Sequence, residues 1–448
     1  MGPTPSMSES TRRSTWKNLL LVLATCVVTL VVLELVLWLS GYNQPLLYMY
    51  NQHTGSALRP NVAGWAKTES TEFVRNDKHG FRIHDNPHLG PKITKDIPPG
   101  VFRIAVLGDS YTESHHVAYV ESFPFLMERQ LHTCKAIGQR VEVLNFAVSG
   151  YSNVQELQSF RHRAKAYDPD LVLLVFHADN DLKGNYRKLE LNPFIPYAEF
   201  KDGKLVLDLS FQRDRAFQRK LSWSNRRNEF INKSRVLQLA ANAFGAWKNW
   251  RNRNRPQGDG PAVEQIAQKT PQPNEASKSP ITGLPSSNEV AGIDKFFSGD
   301  FRPSHRNAPG EHLRPKDDFQ EALWKLASAI ILRLRDDIVE SGASFWLTAT
   351  ATGVSIAPDE SNRIEFLKNT GLDTTNYASD RLADLANRNG FQFIALAPPL
   401  RSIAVRDKVD LERFGENLDV PGHWNPQGHR VVAKVLADKI CRRFSAKQ

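Results

Sequence analysis

Cysteine is scarce in this chain, with three residues in 448, at positions 26, 134 and 441. That is too few for a disulfide-built scaffold, and no Cys-x-x-Cys pair is present to suggest a zinc ribbon or a thiol redox motif. The thirteen histidines show no metal-ligand spacing, so neither a metal nor a cofactor is expected. No internal repeat is found. Basic charge is also absent from most of the chain. The formal charge is +10, and residues 213–255 alone hold twelve Lys/Arg against Asp214 and Glu229, so the remainder is nearly neutral. This excludes a basic face running through the whole molecule, and no nucleic-acid partner is expected. What is present suffices for a core: 41% of residues are hydrophobic and 10% aromatic, which excludes wholesale disorder.

One long apolar run stands out. Leu19 to Leu39 is 21 residues with Glu34 as its single charge. As a helix it measures about 31 Å, matching the ~30 Å hydrocarbon core of a bilayer. Arg12, Arg13 and Lys17 precede it and Arg59 is the first basic residue after it. The positive-inside rule then places the N-terminus in the cytoplasm and everything after Ser40 outside. Trp38 and Tyr42 fit the outer interfacial belt. A cleaved signal peptide has a shorter apolar region ending at small residues, whereas this run ends Leu37-Trp38-Leu39. An uncleaved single-pass anchor at residues 19–40 is therefore expected, with residues 1–18 as a cytoplasmic tail.

Residues 41–100 are polar and irregular, with one β-hairpin predicted from Thr71–Arg75 and Phe81–Ile83 around Asn76–Gly80. Beyond them the pattern alternates. Short apolar strands are predicted at Phe102–Leu107, Val141–Phe146, Leu171–Phe176, Ser344–Thr350 and Phe391–Leu396. Helices fall between them, at 154–167, over the three-and-four spacing of Phe319, Leu323, Leu326, Ile330, Leu334 and Ile338, over 382–388, and finally at 428–444. Five strands alternating with helices predict a parallel sheet covered on both faces. Active sites in such sheets lie at the C-terminal strand ends. The rhythm is split into a first half at 101–210 and a second half at 317–448. Between them lie a basic helical insertion (211–254) and a Pro/Ser/Gly-rich, flexible insertion (255–316).

The strand ends carry a pattern. The first ends in Gly108-Asp109-Ser110, a serine at a strand-to-helix turn, where the helix dipole favours developing negative charge. The second is followed by Gly150, whose backbone can approach a ligand closely. The third ends in His177-Ala178-Asp179-Asn180-Asp181, with an amide donor at Asn180. Ahead of the last helix stands Asp419-Val420-Pro421-Gly422-His423, where an imidazole can serve a neighbouring serine as general base. His429 is read as a helix-start residue with a packing or capping role.

These blocks resemble those of the SGNH/GDSL hydrolases, over 101–189 and 318–443; the anchor and the 76–82 hairpin resemble the N-terminal part of membrane-anchored bacterial members. The resemblance implies a flavodoxin-like three-layer α/β/α sandwich. It makes Ser110 the nucleophile and His423 the base, with an oxyanion hole from the amides of Ser110 and Gly150 and the Asn180 side chain. Two departures stand out: Ala178 replaces the usual glycine of the third block, and Val420 occupies the usual aspartate position. Asp419 is then the candidate triad acid, the alternative being a Ser-His dyad oriented by a backbone carbonyl. The resemblance also places Cys134 and Cys441 on helices of one face, leaving a disulfide or two buried thiols open.

The implied activity is that of a serine esterase outside the cytoplasm, tethered to the bacterial inner membrane, with its catalytic domain periplasmic. Its expected substrate is an ester, most simply an O-acetylated glycan. An O-acetyltransferase and a non-catalytic polysaccharide-binding or assembly subunit are the alternatives. The basic segment 211–255, with Trp223, Trp247 and Trp250, reads either as a solvated insertion or as a contact for anionic lipid or an acidic glycan.

Overall fold

The computed structural model describes residues 9–86, 93–138, 140–253, 293–297, 310, 312–414 and 422–445. The chain divides into two units, Met1–Leu46 with Asn225–Ala262, and Leu47–Ser224 with Val263–Gln448.

The smaller unit contains the helix Glu9–Leu39. Its Trp16–Leu39 portion is long and apolar enough to cross a membrane, and is the one such helix among the described residues. Its apolar side chains from Leu19 on are largely exposed. The helices Asn225–Ile231 and Arg235–Arg253 complete this unit.

The larger unit is built on a five-stranded parallel sheet. Its spatial order is Gln392–Ile394, Ser344–Ala349, Leu171–Phe176, Val101–Leu107, Arg140–Asn145. Numbered along the chain this is 5-4-3-1-2, the flavodoxin-like order, with its switch point beside the first strand. Alternate side chains on each strand point to opposite faces. Ala105, Leu107, Val172, Leu174 and Phe176 pack under the helices Asn153–His162 and Asp318–Glu340. Ile104, Val106, Leu171, Leu173 and Val175 pack under the helices Phe123–Leu131 and Pro426–Ser445. The fold is therefore three-layered α/β. In the Asp318–Glu340 helix all six residues of the predicted apolar stripe are buried. Asp317 caps its start by accepting from the Gln320 N–H at 2.8 Å.

Some elements differ from the sequence expectation. The predicted helix over 154–167 is an α-helix to His162 followed by a 3₁₀ turn, Ala164–Tyr167. The fifth strand is only Gln392–Ile394, short as edge strands are. The arms Thr71–Asn76 and Arg82–Ile83 do pair, and a third strand, Ala63–Lys67, joins them with Trp65 opposite Phe73. A second antiparallel hairpin, Tyr197–Lys201 with Lys204–Asp208, turns at Asp202-Gly203, a favoured hairpin pair. The basic segment is two short helices, Arg215–Arg219 and Asn225–Ile231, with a π-helical stretch at Lys220–Ser224 between them, then the 19-residue helix Arg235–Arg253; the boundary between the units falls after Ser224. Most of 255–316 lies outside the described residues. Within it, the turn Asp294–Phe297 buries Phe296 and Phe297 in the core beside Phe319. Cys134, three residues beyond the Phe123–Leu131 helix, is disulfide-bonded to Cys441 of the last helix with Cα atoms 5.8 Å apart.

Candidate active site

The first strand delivers its last residues to the sheet edge, and the chain turns at once into the short helix Ser110–Glu113. The turn requires glycine at 108, because a Cβ there would stand 2.4 Å from Thr112 Oγ1. Asp109 caps the helix by accepting from the Tyr111 N–H at 3.0 Å. Ser110 is the first helical residue, so its amide has no acceptor within the helix.

His423 enters from the loop before the last helix. Its Nε2 lies 2.7 Å from Ser110 Oγ and its Nδ1 lies 2.6 Å from Glu69 Oε1. The carboxylate on the ring is thus Glu69, at the turn between Ala63–Lys67 and Thr71–Asn76. Asp419, the expected acid, lies outside the described residues. The Glu69 side chain is 27% exposed and that of His423 24%. The hydrogen bond from the His423 ring is the first cause holding the Glu69 carboxyl below its usual range; partial burial opposes it. With Nδ1–H donated to Glu69, Nε2 is left to accept from the Ser110 hydroxyl.

Two further histidines stand behind the ring. His116 stacks on His423 with centroids 4.5 Å apart and planes 24° apart, and its Nε2 is 3.1 Å from His429 Nε2. The Phe123 N–H donates to His429 Nδ1 at 3.2 Å. Burial pushes His429 down to about 3 and holds His116 well below its usual value. Both rings are therefore neutral at pH 7. Because Nδ1 of His429 accepts, its proton sits on Nε2 and is donated to His116. Neither ring competes for the serine proton. The structure gives His429 a larger part than a helix-start residue, since it fixes the tautomer of the ring beneath the base. On its other side His423 meets Tyr111, whose ring lies 4.6 Å away and whose hydroxyl donates to the Gly422 carbonyl at 3.3 Å.

Gly150 takes a positive φ of 76° in the turn after the second strand, with nothing within 4 Å of where a Cβ would sit. Glycine adopts that conformation without strain. The preceding amide, Ser149 N–H, donates to the buried Glu113 carboxylate, which also accepts from Tyr48 OH at 2.8 Å and contacts His115 Nδ1 at 2.6 Å. Burial pushes the Glu113 carboxyl up, but His115, Ser149 and Tyr48 outweigh it and keep it below its usual range. Asn180 is at the third strand's end, in the helix Ala178–Gly184, and its Nδ2 donates to Asp109 Oδ2 at 2.5 Å. An amide has a second N–H to offer. The structure thus hydrogen-bonds His423 to Ser110, ties Asn180 to the neighbouring Asp109, and sets Gly150 in the turn after the second strand.

Below Asp109 lies a buried acidic pair. Asp181 Oδ2 accepts from the His177 N–H at 2.7 Å, and Glu156 Oε2 accepts from Asn153 Nδ2 at 2.9 Å. Their other oxygens, Asp181 Oδ1 and Glu156 Oε1, are buried without a partner. Burial pushes both carboxyls up, and the Asp109 charge adds to it.

Glu69, His116 and His423 each offer one ligand atom within 4.8 Å of the others. A cation there would have to displace the Glu69–His423 bond, so these atoms already have their partners. Sequence reasoning missed Glu69, His116, Glu113 and Glu156. For Glu69 no sequence signal was available: it lies before the predicted hairpin arm and 354 positions from the histidine it meets.

A flavodoxin-like α/β sheet with a Ser–His–carboxylate chain at its strand ends defines the class of site. No protein-family model and no curated protein matches the chain. Among solved structures it is similar to the acetyl xylan esterase AlAXEase, at 12% identity and a TM-score of 0.34, covering 76% of this chain and 100% of that one. It is similar also to a mutant of Axe2, an acetyl-xylooligosaccharide esterase from Geobacillus Stearmophilus, at 9% identity and a TM-score of 0.34, covering 76% and 94%. At this depth the likenesses assign nothing to this chain.

Proposed function

We propose that this protein is a serine esterase of the SGNH type that works through an acyl-enzyme and removes O-acetyl groups from a carbohydrate outside the cytoplasm. The observation that carries the proposal is the unbroken chain from Ser110 Oγ through His423 to Glu69, at 2.7 and 2.6 Å. Ser110 Oγ attacks the ester carbonyl while its proton passes to His423 Nε2, and Glu69 stabilises the imidazolium so formed. The amides of Ser110 and Gly150 and the free N–H of Asn180 receive the oxyanion. Collapse breaks the bond to the sugar oxygen, which leaves as a hydroxyl by taking the proton from Nε2, and water then repeats the cycle on the acyl-serine to release acetate and free Ser110.

The apolar span at Trp16–Leu39, with basic residues ahead of it, supports placing the catalytic unit on the outer side of a bacterial inner membrane. There its substrates are exported and cell-wall glycans. The same site serves an O-acetyltransferase if a glycan hydroxyl replaces water in the second half-reaction; product analysis with an acetyl donor and a glycan acceptor separates the two. A non-catalytic subunit with a decayed site has no need of a carboxylate on the histidine, and Glu69 supplies one at 2.6 Å.

Ser110→Ala should lower aryl acetate turnover by about three or more orders of magnitude while leaving the circular dichroism spectrum unchanged. Undiminished turnover would overturn the proposal.

A further inference from the structure

The membrane helix carries Glu34 five residues before its end at Leu39, about 7.5 Å along the axis. A bare carboxylate at that depth is costly. Here it has three donors: Glu34 Oε2 accepts from the Ser234 hydroxyl at 2.7 Å and the Val236 N–H at 3.0 Å, and Oε1 accepts from the Arg235 N–H at 2.7 Å. These donors open the helix Arg235–Arg253, whose first-turn amides and positive dipole end suit an anion. A residue inside the apolar span therefore caps a second helix.

Gln238 and Asn242, four apart on one face of that helix, turn toward the chain leaving the span. Gln238 Oε1 accepts from the Gln44 N–H at 2.9 Å, and Asn242 Nδ2 donates to the Gln44 carbonyl at 3.0 Å and to Tyr42 OH at 3.3 Å. Another arc of the same helix holds Leu239, Phe244, Trp247 and Trp250, which are 39, 62, 47 and 62% exposed. Lys248 borders this arc and Arg251 falls within it, its Cζ 4.9 Å above the Trp247 ring. Exposed rings beside cations are the composition of a helix lying in a membrane interface.

We infer that the helix Arg235–Arg253 lies in the outer membrane–water interface, held to the span by Glu34, with its aromatic arc in lipid and Lys248 and Arg251 at the phosphates of anionic lipids. The inference rests on reading Trp16–Leu39 as a membrane span. An acidic glycan would find the same cations; what favours lipid is that the helix is hydrogen-bonded to a residue within the span.

The test uses the full chain in bilayer nanodiscs containing phosphatidylglycerol. An environment-sensitive fluorophore is placed on the native Cys26, or, in a Cys26→Ser background, on Phe244→Cys or on Lys368→Cys of the catalytic unit. The label at 244 should be several-fold less quenched by aqueous iodide than the one at 368. Glu34→Leu should return it toward the aqueous value while the Cys26 label stays shielded. Strong quenching at 244 with Cys26 shielded overturns the inference and leaves the span standing; strong quenching at Cys26 rejects the span itself. Shielding at 244 that persists in Glu34→Leu removes Glu34 as the tether. Shielding that appears only when an acidic polysaccharide is added makes the glycan the partner and overturns the lipid assignment.

Discussion

Glu69 and Glu156 both serve the strand end that carries Ser110, and they meet opposite environments. Glu69 sits in the turn of an antiparallel sheet, partly open to water, and shares its charge with the His423 ring. Its pKa falls. Glu156 sits fully buried on the helix Asn153–His162, with one oxygen bonded to Asn153 and the other to nothing. Its pKa rises, through burial first and then the charge of Asp109. A carboxylate near a cation-forming partner and some water stays ionised, whereas one sealed off beside other acids keeps its proton. The first is equipped to stabilise an imidazolium. The second forms part of the neutral packing under the site.

Removing the charge on one side should show the difference most strongly. Glu69→Gln should lower kcat by about two to four orders of magnitude, because the His423 tautomer and the imidazolium both lose their partner. Asp419→Asn provides the contrast: a loss as large there, with Glu69→Gln near normal, would reverse the assignment of the acid. The Glu69 contribution belongs to a depressed pKa. It is complete above the ordinary carboxylate range and disappears only as pH falls through the lower value.

The charge that helps raise Glu156 belongs to Asp109, which also accepts from Asn180 Nδ2 at 2.5 Å. Asn180→Ala should cost about two to three orders of magnitude in kcat, the usual loss for one oxyanion donor, with KM for the aryl acetate little changed. A loss confined to KM would remove Asn180 from the oxyanion hole.

The smallest effect on rate is expected at the buried acid. Glu156→Gln keeps a neutral group of the same shape and should leave kcat within a few-fold of normal. Its signature is in stability. A carboxyl whose folded pKa is raised takes up a proton on folding, so stability falls as pH climbs from the ordinary carboxylate range toward the raised value. Urea unfolding across that range should show this slope in the native chain and a shallower one in Glu156→Gln. Identical slopes would mean that Glu156 is ionised when folded.

Much of this arrangement was legible in the sequence. Leu171–Phe176 and Ile104–Leu107 are apolar on both faces, so they announce central strands; Phe319 to Ile338 keep helical spacing over about five turns. Ser110 lies just past the first predicted strand and His423 just ahead of the last predicted helix, where the fold exposes side chains. Glu69 was not legible, because its role depends on a small antiparallel sheet placing its turn at His423, and nothing local to Thr68-Glu69-Ser70 encodes that approach. The His116–His429 pair was hidden for a similar reason: its neutrality comes from burial by Phe123 and Trp424, which no spacing reveals. The turn at Phe296 and Phe297 escaped because a four-residue helix gives no periodicity.

The most direct test of the account is mass spectrometry of the full chain after reaction with a fluorophosphonate. A single phosphonyl adduct should form on Ser110, much more slowly in Glu69→Gln and not at all in Ser110→Ala. An adduct on another residue, or labelling as fast in Glu69→Gln as in the native chain, would contradict it.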